Sequence, residues 1–141
     1  DMKIRKSNLL YINFNVNTNK KIRYPIMQLW KLKGFKTIEG NKPLNQGEYW
    51  KNLSSHKFCI APPGNGFDCH RIWECIYLDT IPIVIKNDAF NKFRNMKILF
   101  INDWNDITSS FLEEKYIEFC KSKFDNEMAY TKYWENEIIN D

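Results

Sequence analysis

The stretch KFCIAPPGNGFDCHRIWECIYLDTIPIVI, from Lys57 to Ile85, decides the fold. It opens with an apolar run, Phe58 to Ala61, and passes through a Pro/Gly/Asn loop into a helical segment, Cys69 to Leu78. A second apolar run, Ile81 to Ile85, follows. Short apolar runs without polar alternation are typical of strands that are buried on both faces, as in a parallel sheet. The stretch therefore predicts a strand–loop–helix–strand unit.

The same alternation of strands and helices extends over the rest of the chain. Further strands are predicted at Asn8 to Val16, Phe35 to Ile38 and Ile98 to Ile101, and further helices at Lys20 to Lys33, Glu48 to Ser55, Ala89 to Met96, Thr108 to Ser122 and Asp125 to Asn140. Because proline is tolerated only near a helix start, Pro25 predicts that the first regular helix begins near Tyr24. The pattern predicts an α/β fold in three layers, a mostly parallel sheet flanked by helices, in a single domain over residues 1–141.

The composition restricts the possible classes of function. Hydrophobic residues make up 43% of the 141 residues and aromatic residues 16%, which predicts a folded domain. The net charge of +4, without a Lys/Arg block, argues against a dedicated nucleic-acid binder. The four cysteines form no CxxC pair, so we expect reduced thiols and a cytoplasmic location. No signal peptide is recognisable at the start, and no apolar run reaches the roughly 18–20 residues of a membrane span.

The loop after the first apolar run of the central stretch has the composition of a ligand-binding turn. Pro63 follows another proline and ends the strand, and Gly64, Asn65 and Gly66 allow the backbone to approach a ligand closely. Asp68 is a natural N-cap, so the next helix is predicted to start at Cys69. A strand, a glycine loop and a helix N-terminus together favour phosphate binding.

The first turn of the predicted helix carries the strongest signal for an anion. Arg71 stands three residues after the cap, where a capping box would have Glu or Gln. A cation there opposes the helix dipole, and a bound anion would remove the conflict. Glu74 shares a face with Arg71, and His70 lies four residues before Glu74. A guanidinium for a diphosphate and a carboxylate for sugar hydroxyls fit a nucleotide sugar, although the spacing is equally that of an exposed helical ion pair.

Two other chemistries are compatible with the residue types but not with their spacing. Cys69 at a helix N-terminus, beside His70, suggests a cysteine nucleophile, and Cys59, Cys69, His70 and Cys75 suggest a zinc site. Adjacent helical side chains diverge by about 100°, so Cys69 and His70 are poorly placed to act together. We therefore predict neither a metal site nor a thiol-dependent hydrolase.

Polar residues after the first predicted strand are weaker candidates. Asn15, Thr18 and Arg23 follow this strand, whose carboxyl end is expected at the same sheet edge as the glycine loop. They are possible contacts of a donor or an acceptor. Turn-forming residues and an ordinary helical arginine account for them equally well.

The central stretch also carries a family resemblance. The segment SSHKFCIAPPGNGFDCHRIWECIYLDTIPIV, Ser54 to Val84, resembles the signature of exostosin-like glycosyltransferases, including short bacterial and viral members. The pattern of that family is a strand, a Pro-x-Gly loop, Arg-x-x-Glu on a helix, then a Gly and an Ile-Pro-Val strand. The later DWND, Asp103 to Asp106, and the closing YW helix are similar too, so the resemblance covers roughly Tyr49 to Ile139.

The resemblance implies a B-type glycosyltransferase, in which two Rossmann-like domains face each other across a cleft. The chain would be the C-terminal, donor-binding half, and an N-terminal partner domain would supply the general base. Arg71 would contact the diphosphate and Glu74 the ribose or the donor sugar of a nucleotide-diphosphate sugar. The sugar would pass to a hydroxyl acceptor such as a glycan, without a metal or other cofactor for donor binding. The alternative is a stand-alone nucleotide-sugar-binding module without transferase activity.

Two residues depart from the family pattern. Pro63 stands where many members have Arg, which removes one possible phosphate contact. Asp79 stands where a Gly usually ends the helix. Because Asp adopts the left-handed conformation more readily than most residues, we expect a normal helix-ending turn at Asp79.

Overall fold

The computed structural model describes residues 6–14, 20–35, 38–39, 46–62 and 70–124. These residues form strands and helices in the order β1–β2–α1–β3–α2–β4–α3–β5–β6–α4. The strands are β1 (Asn8–Tyr11), β2 (Asn13–Phe14), β3 (Ile38–Glu39), β4 (His56–Ile60), β5 (Ile81–Ile85) and β6 (Leu99–Ile101). The helices are α1 (Lys20–Leu32), α2 (Gln46–Ser54), α3 (His70–Tyr77) and α4 (Ser109–Lys121).

The main sheet is parallel, as predicted. Its four strands lie in the order β1-β4-β5-β6, and each pairs in parallel with its neighbour. The register places Tyr11 opposite Cys59, and Phe58 opposite Ile81. The short strands β2 and β3 pair in parallel as a second sheet. The N-terminal segment thus pairs first with β4 and then, after Ile12, with β3.

Helices cover both faces of the main sheet, which confirms the three-layer α/β fold. Successive strand residues point to opposite faces. On one face, Phe58 and Ile60 pack with Trp30 of α1 and Leu112 of α4. On the other face, Cys59 packs with residues of α2 and α3, in a cluster that includes Leu53 and Cys75. A further cluster joins α3 to β5 on that second face. No helix in the described ranges has the length and apolarity needed to cross a membrane.

The first helix begins earlier than predicted. α1 starts at Lys20 and contains Pro25 in its second turn, whereas the sequence predicted a start near Tyr24. Pro25 removes the intrahelical bond to the carbonyl of Lys21, an exposed residue. The buried side chains of Ile26, Met27 and Trp30 stabilise the helix against this loss. Tertiary packing therefore decides where the helix begins.

Several other boundaries also differ from the predictions. The segment predicted as one strand from Asn8 forms β1 and β2, and the short strand predicted at Phe35 to Ile38 is β3, shifted toward the C-terminus. The helix predicted at Ala89 to Met96 is a 3₁₀ helix, Asp88–Phe93. Asp103 caps a second 3₁₀ turn, Trp104–Asp106. The last predicted helix lies outside the described residues.

The amino edge of the sheet fixes the ends of α2 and α3. The ammonium of Lys6 donates to the carbonyl of Ser54, to the carbonyl of Leu78 at 2.9 Å and to Thr80 Oγ1 at 3.1 Å. Burial lowers the pKa of Lys6, and the charge of Asp79 opposes that shift. Thr80 Oγ1 donates in turn to the carbonyl of Leu53 at 2.8 Å. Both helices are therefore anchored at the edge opposite the predicted site.

The turn after α3 confirms the expectation for Asp79. Asp79 has φ of 58°, in the left-handed region. The Thr80 N–H donates to the carbonyl of Cys75 at 2.8 Å, and the Asp79 N–H donates to the carbonyl of Ile76 at 3.1 Å. These two bonds form a Schellman motif with Asp79 in the position usually taken by Gly.

Substitutions at Asp79 should rank in the order that a left-handed residue requires. Asp79→Gly is expected to be more stable than Asp79→Ala by about 1 kcal/mol, since only Gly avoids the Cβ penalty there. Both variants lose the ion pair to Lys97 equally, so their difference isolates the backbone effect. Urea unfolding of the two variants measures it. A more stable alanine variant, as in a helix interior, would contradict the assigned turn.

Candidate functional site

The site lies where two connections leave neighbouring strands for opposite faces of the sheet. The chain leaves the β1–β2 segment toward α1, which packs on one face, and leaves β4 toward α3, which packs on the other. In parallel α/β sheets, ligands bind outside the carboxyl ends of strands at such a divergence. The crevice expected outside the carboxyl ends of β1 and β4, called the opening below, is therefore the candidate site.

Helix α3 presents its two predicted functional side chains on the side away from its core face. Ile72, Cys75 and Ile76 are buried. Arg71 and Glu74 are both half-buried and lie one turn apart. Since the apolar side of α3 is fixed against the sheet, the positions of both polar side chains are set by the fold.

Helix α2 supplies a direct partner for each of these side chains. The guanidinium carbon of Arg71 lies 6.0 Å from the centre of the Tyr49 ring. The indole Nε1 of Trp50 donates to Glu74 Oε2 at 3.1 Å. Arg71 and Glu74 therefore each contact one of two adjacent aromatic residues of α2.

Tyr49 is held firmly below Arg71. Its ring is half-buried and lies 6.3 Å, centre to centre, from the buried ring of Tyr11. Burial raises the pKa of Tyr49 well above its ordinary value, and the charge of Arg71 opposes this rise. Tyr49 is therefore a neutral phenol at physiological pH. Its ring presents a π-face to the guanidinium, which is a favourable arrangement.

The sequence did not single out Tyr49 and Trp50 as site residues. The predicted helix EYWKNLSS contained both, but two adjacent aromatic residues on a short helix are ordinary packing candidates. The available signal was that neighbouring helical side chains point about 100° apart, so Tyr49 and Trp50 face different surroundings. Trp50 is indeed 37% exposed, while Leu53 is fully buried.

Arg23 lies at the same edge, on the other side of the opening. It is only 8% exposed, and one of its Nη atoms donates to the carbonyl of Pro62 at 3.3 Å. Pro62 is the last described residue before the glycine loop. Arg23 is therefore a buried cation that holds the start of the loop, and its predicted contact with a donor or acceptor stays a prediction.

The remaining predicted site residues are not described. Pro63, Gly64, Asn65, Gly66 and Asp68, together with Asn15 and Thr18, lie outside the described residues. His70 begins α3, but nothing is described of its side chain. Their roles at the site stay predictions.

The cysteines of the rejected alternatives lie in the core where they are described. Cys59 and Cys75 are fully buried and are not in a disulfide, and Cys69 lies outside the described residues. Across the described ranges, no group of three or more His, Cys, Asp or Glu side chains is arranged to hold a metal ion.

The parallel sheet and its two helical layers define a Rossmann-like α/β domain. Residues 1–122 match the family described as the Exostosin GT47 domain. The chain therefore belongs to this family of glycosyltransferases. A comparison with curated proteins returned no match.

The family match confirms the resemblance and changes its extent. The resemblance read from the sequence covered roughly Tyr49 to Ile139. Before Tyr49, only the order of the elements fitted the family. The match instead begins at residue 1 and includes α1 with Arg23. It ends at residue 122, so the predicted closing helix, Asp125 to Asn140, lies beyond it and outside the described residues.

Proposed function

We propose that this domain binds the donor of its glycosyltransferase, a nucleotide-diphosphate sugar, outside the carboxyl ends of β1 and β4. The observation that supports this most directly is the pair Arg71 and Glu74, half-buried on α3 and each contacted by α2. A randomly exposed helical ion pair would not have a separate aromatic partner for each member. The contacts instead keep both groups ordered in the absence of a ligand, which lowers the entropic cost of binding.

Arg71 is the proposed contact of the donor diphosphate. Its guanidinium can donate two parallel hydrogen bonds to phosphate oxygens. The N-terminus of α3 adds backbone donors and the positive end of the helix dipole. In the reaction, the bond between the sugar and the diphosphate breaks, and the leaving group carries the developing negative charge. Arg71 would stabilise that charge, which is the electrostatic contribution to catalysis.

Glu74 is the proposed contact of the sugar end of the donor. One turn beyond Arg71, its carboxylate is positioned to accept hydrogen bonds from hydroxyls of the ribose or of the donor sugar. A carboxylate near a diphosphate would repel it, so a position beyond the phosphate is the favourable one. The donor would thus lie along α3, with its diphosphate at Arg71 and its sugar end at Glu74.

Arg23 is proposed to support the phosphate contact from the other side of the opening. It holds the carbonyl of Pro62 directly before the glycine loop. The loop residues Gly64, Asn65 and Gly66, with Asp68, are proposed to line the donor site. Arg23 would therefore act mainly by fixing the start of this loop.

The acceptor half of the reaction is assigned to another domain. We propose that an N-terminal partner domain binds the glycan or other hydroxyl acceptor. It would also supply the general base that takes the acceptor proton as the new bond between the sugar and the acceptor oxygen forms. The isolated chain would then bind the donor and transfer the sugar slowly or not at all. A stand-alone binding module would instead remain inactive when the partner domain is supplied.

A nucleotide screen of the wild-type chain tests this proposal. We expect one of UDP, GDP or ADP to raise the midpoint of thermal unfolding. At a hundredfold excess over Kd, a ligand adds about 2.7 kcal/mol, which is about 5–10 °C for a domain of this size. The corresponding sugar nucleotide should bind at least as tightly as the nucleoside diphosphate. If no nucleotide and no sugar nucleotide shifts the midpoint, the donor-site assignment is wrong.

A further inference from the structure

We propose that Trp50 is a positioning residue for Glu74. Its indole N–H holds one carboxylate oxygen, Oε2, and leaves Oε1 as the oxygen that accepts from a donor hydroxyl. The inference rests on the proposed donor site and assigns to α2 a part in recognising the sugar end of the donor.

The contact between the two side chains fixes the orientation of the carboxylate. Trp50 Nε1 lies 3.1 Å from Glu74 Oε2, within the range of a hydrogen bond. An indole N–H can only donate, so it keeps Oε2 in an acceptor role. Held by one oxygen, the carboxylate loses much of its torsional freedom before a ligand arrives. The hydroxyl then meets an acceptor that is already oriented.

Trp50 can act in this way because α2 is rigidly attached. Leu53, three residues further on, is fully buried, and its carbonyl accepts from Thr80 Oγ1 at 2.8 Å. Tyr49 packs against Tyr11 of β1. Groups placed on anchored helices are held more precisely than groups on loops. The same helix thus fixes the Arg71 cation through Tyr49 and the Glu74 carboxylate through Trp50.

Trp50 is 37% exposed, so most of its ring is still packed against the protein, and truncating it would remove packing as well as the hydrogen bond to Glu74. Trp50→Phe retains an aromatic ring but removes the donating N–H together with part of the indole. Comparing this variant in the presence and absence of the Glu74 carboxylate separates the hydrogen bond from the change in packing.

A double-mutant cycle tests the positioning role. Kd for the best-binding sugar nucleotide is measured for the wild type, Trp50→Phe, Glu74→Ala and the double variant. We expect Trp50→Phe to weaken binding about fivefold and Glu74→Ala about tenfold or more. In the Glu74→Ala background, Trp50→Phe should change Kd by less than about twofold, because the carboxylate that it orients is absent.

Inorganic pyrophosphate serves as the control ligand, since it carries no hydroxyl-bearing carbon. Its Kd should be unchanged in Trp50→Phe. An equal fivefold loss in both Glu74 backgrounds, or an equal loss for pyrophosphate, would overturn the positioning role while the donor site remained. So would a Trp50→Phe variant that binds the sugar nucleotide as tightly as the wild type. Failure of the wild-type chain to bind any sugar nucleotide would instead overturn the proposed function itself.

Discussion

Replacing Arg71 with alanine is expected to weaken binding of the nucleoside diphosphate by about 100-fold, or about 2.7 kcal/mol. The loss corresponds to two charge-assisted hydrogen bonds between the guanidinium and phosphate oxygens. Stability should not fall in parallel. Arg71 lies in the first turn of α3, where a cation opposes the helix dipole by several tenths of a kcal/mol. Calorimetric titration and urea unfolding measure the two effects separately.

Two further variants test whether the loss of binding in Arg71→Ala comes from the bidentate contact or from net charge. Arg71→Lys keeps the charge but cannot form the bidentate contact, so an intermediate loss is expected. Arg94→Ala removes an exposed arginine that follows the 3₁₀ helix Asp88–Phe93, and its Kd should match that of the wild type. Equal losses in Arg71→Ala and Arg94→Ala would show that net charge, rather than the site, governs binding.

Replacing Leu53 with alanine is expected to lower the free energy of unfolding by about 3 kcal/mol, within the usual range of 2–5 kcal/mol for a buried leucine. Leu53 is fully buried between Tyr11, Cys59 and Cys75. It also lies one turn from Tyr49, so it anchors the helix that orients Arg71 and Glu74. A cavity at this place therefore weakens both the core and the support of the site.

The same chain offers a matched control for Leu53. Leu32, at the end of α1, is 86% exposed, so Leu32→Ala should change the free energy of unfolding by no more than about 0.5 kcal/mol. Chemical unfolding of both variants compares the same chemical deletion in two environments. Losses of similar size would contradict the packing of α2 against β4.

The sequence was sufficient for the fold class because the decisive signals are local. The apolar runs at Phe58 and Ile81 had no polar alternation, and both are central strands. The left-handed turn at Asp79 followed from the conformational preference of a single residue. The predicted start of α1, near Tyr24, was wrong because packing around Trp30 outweighs the local cost of Pro25. Propensity rules do not contain that long-range contribution.

The candidate site was predictable only in part for a similar reason. Arg71 and Glu74 stand in one helix, so their shared face followed from helical spacing. Tyr49 and Trp50 come from a different helix, and their contacts depend on how α2 packs beside α3. Likewise, the bond between Arg23 and Pro62 joins residues 39 positions apart. Such pairings follow from the tertiary arrangement and not from any local pattern.

The most direct test of the donor site is an NMR titration of the arginine guanidinium groups. The sequence contains four arginines, Arg5, Arg23, Arg71 and Arg94, so each guanidinium resonance can be assigned by substitution. We predict that adding the best-binding nucleoside diphosphate shifts the Arg71 resonance in a saturable manner and leaves the Arg94 resonance unchanged. A saturable complex in which the Arg71 resonance does not move would contradict the assignment of Arg71 to the diphosphate.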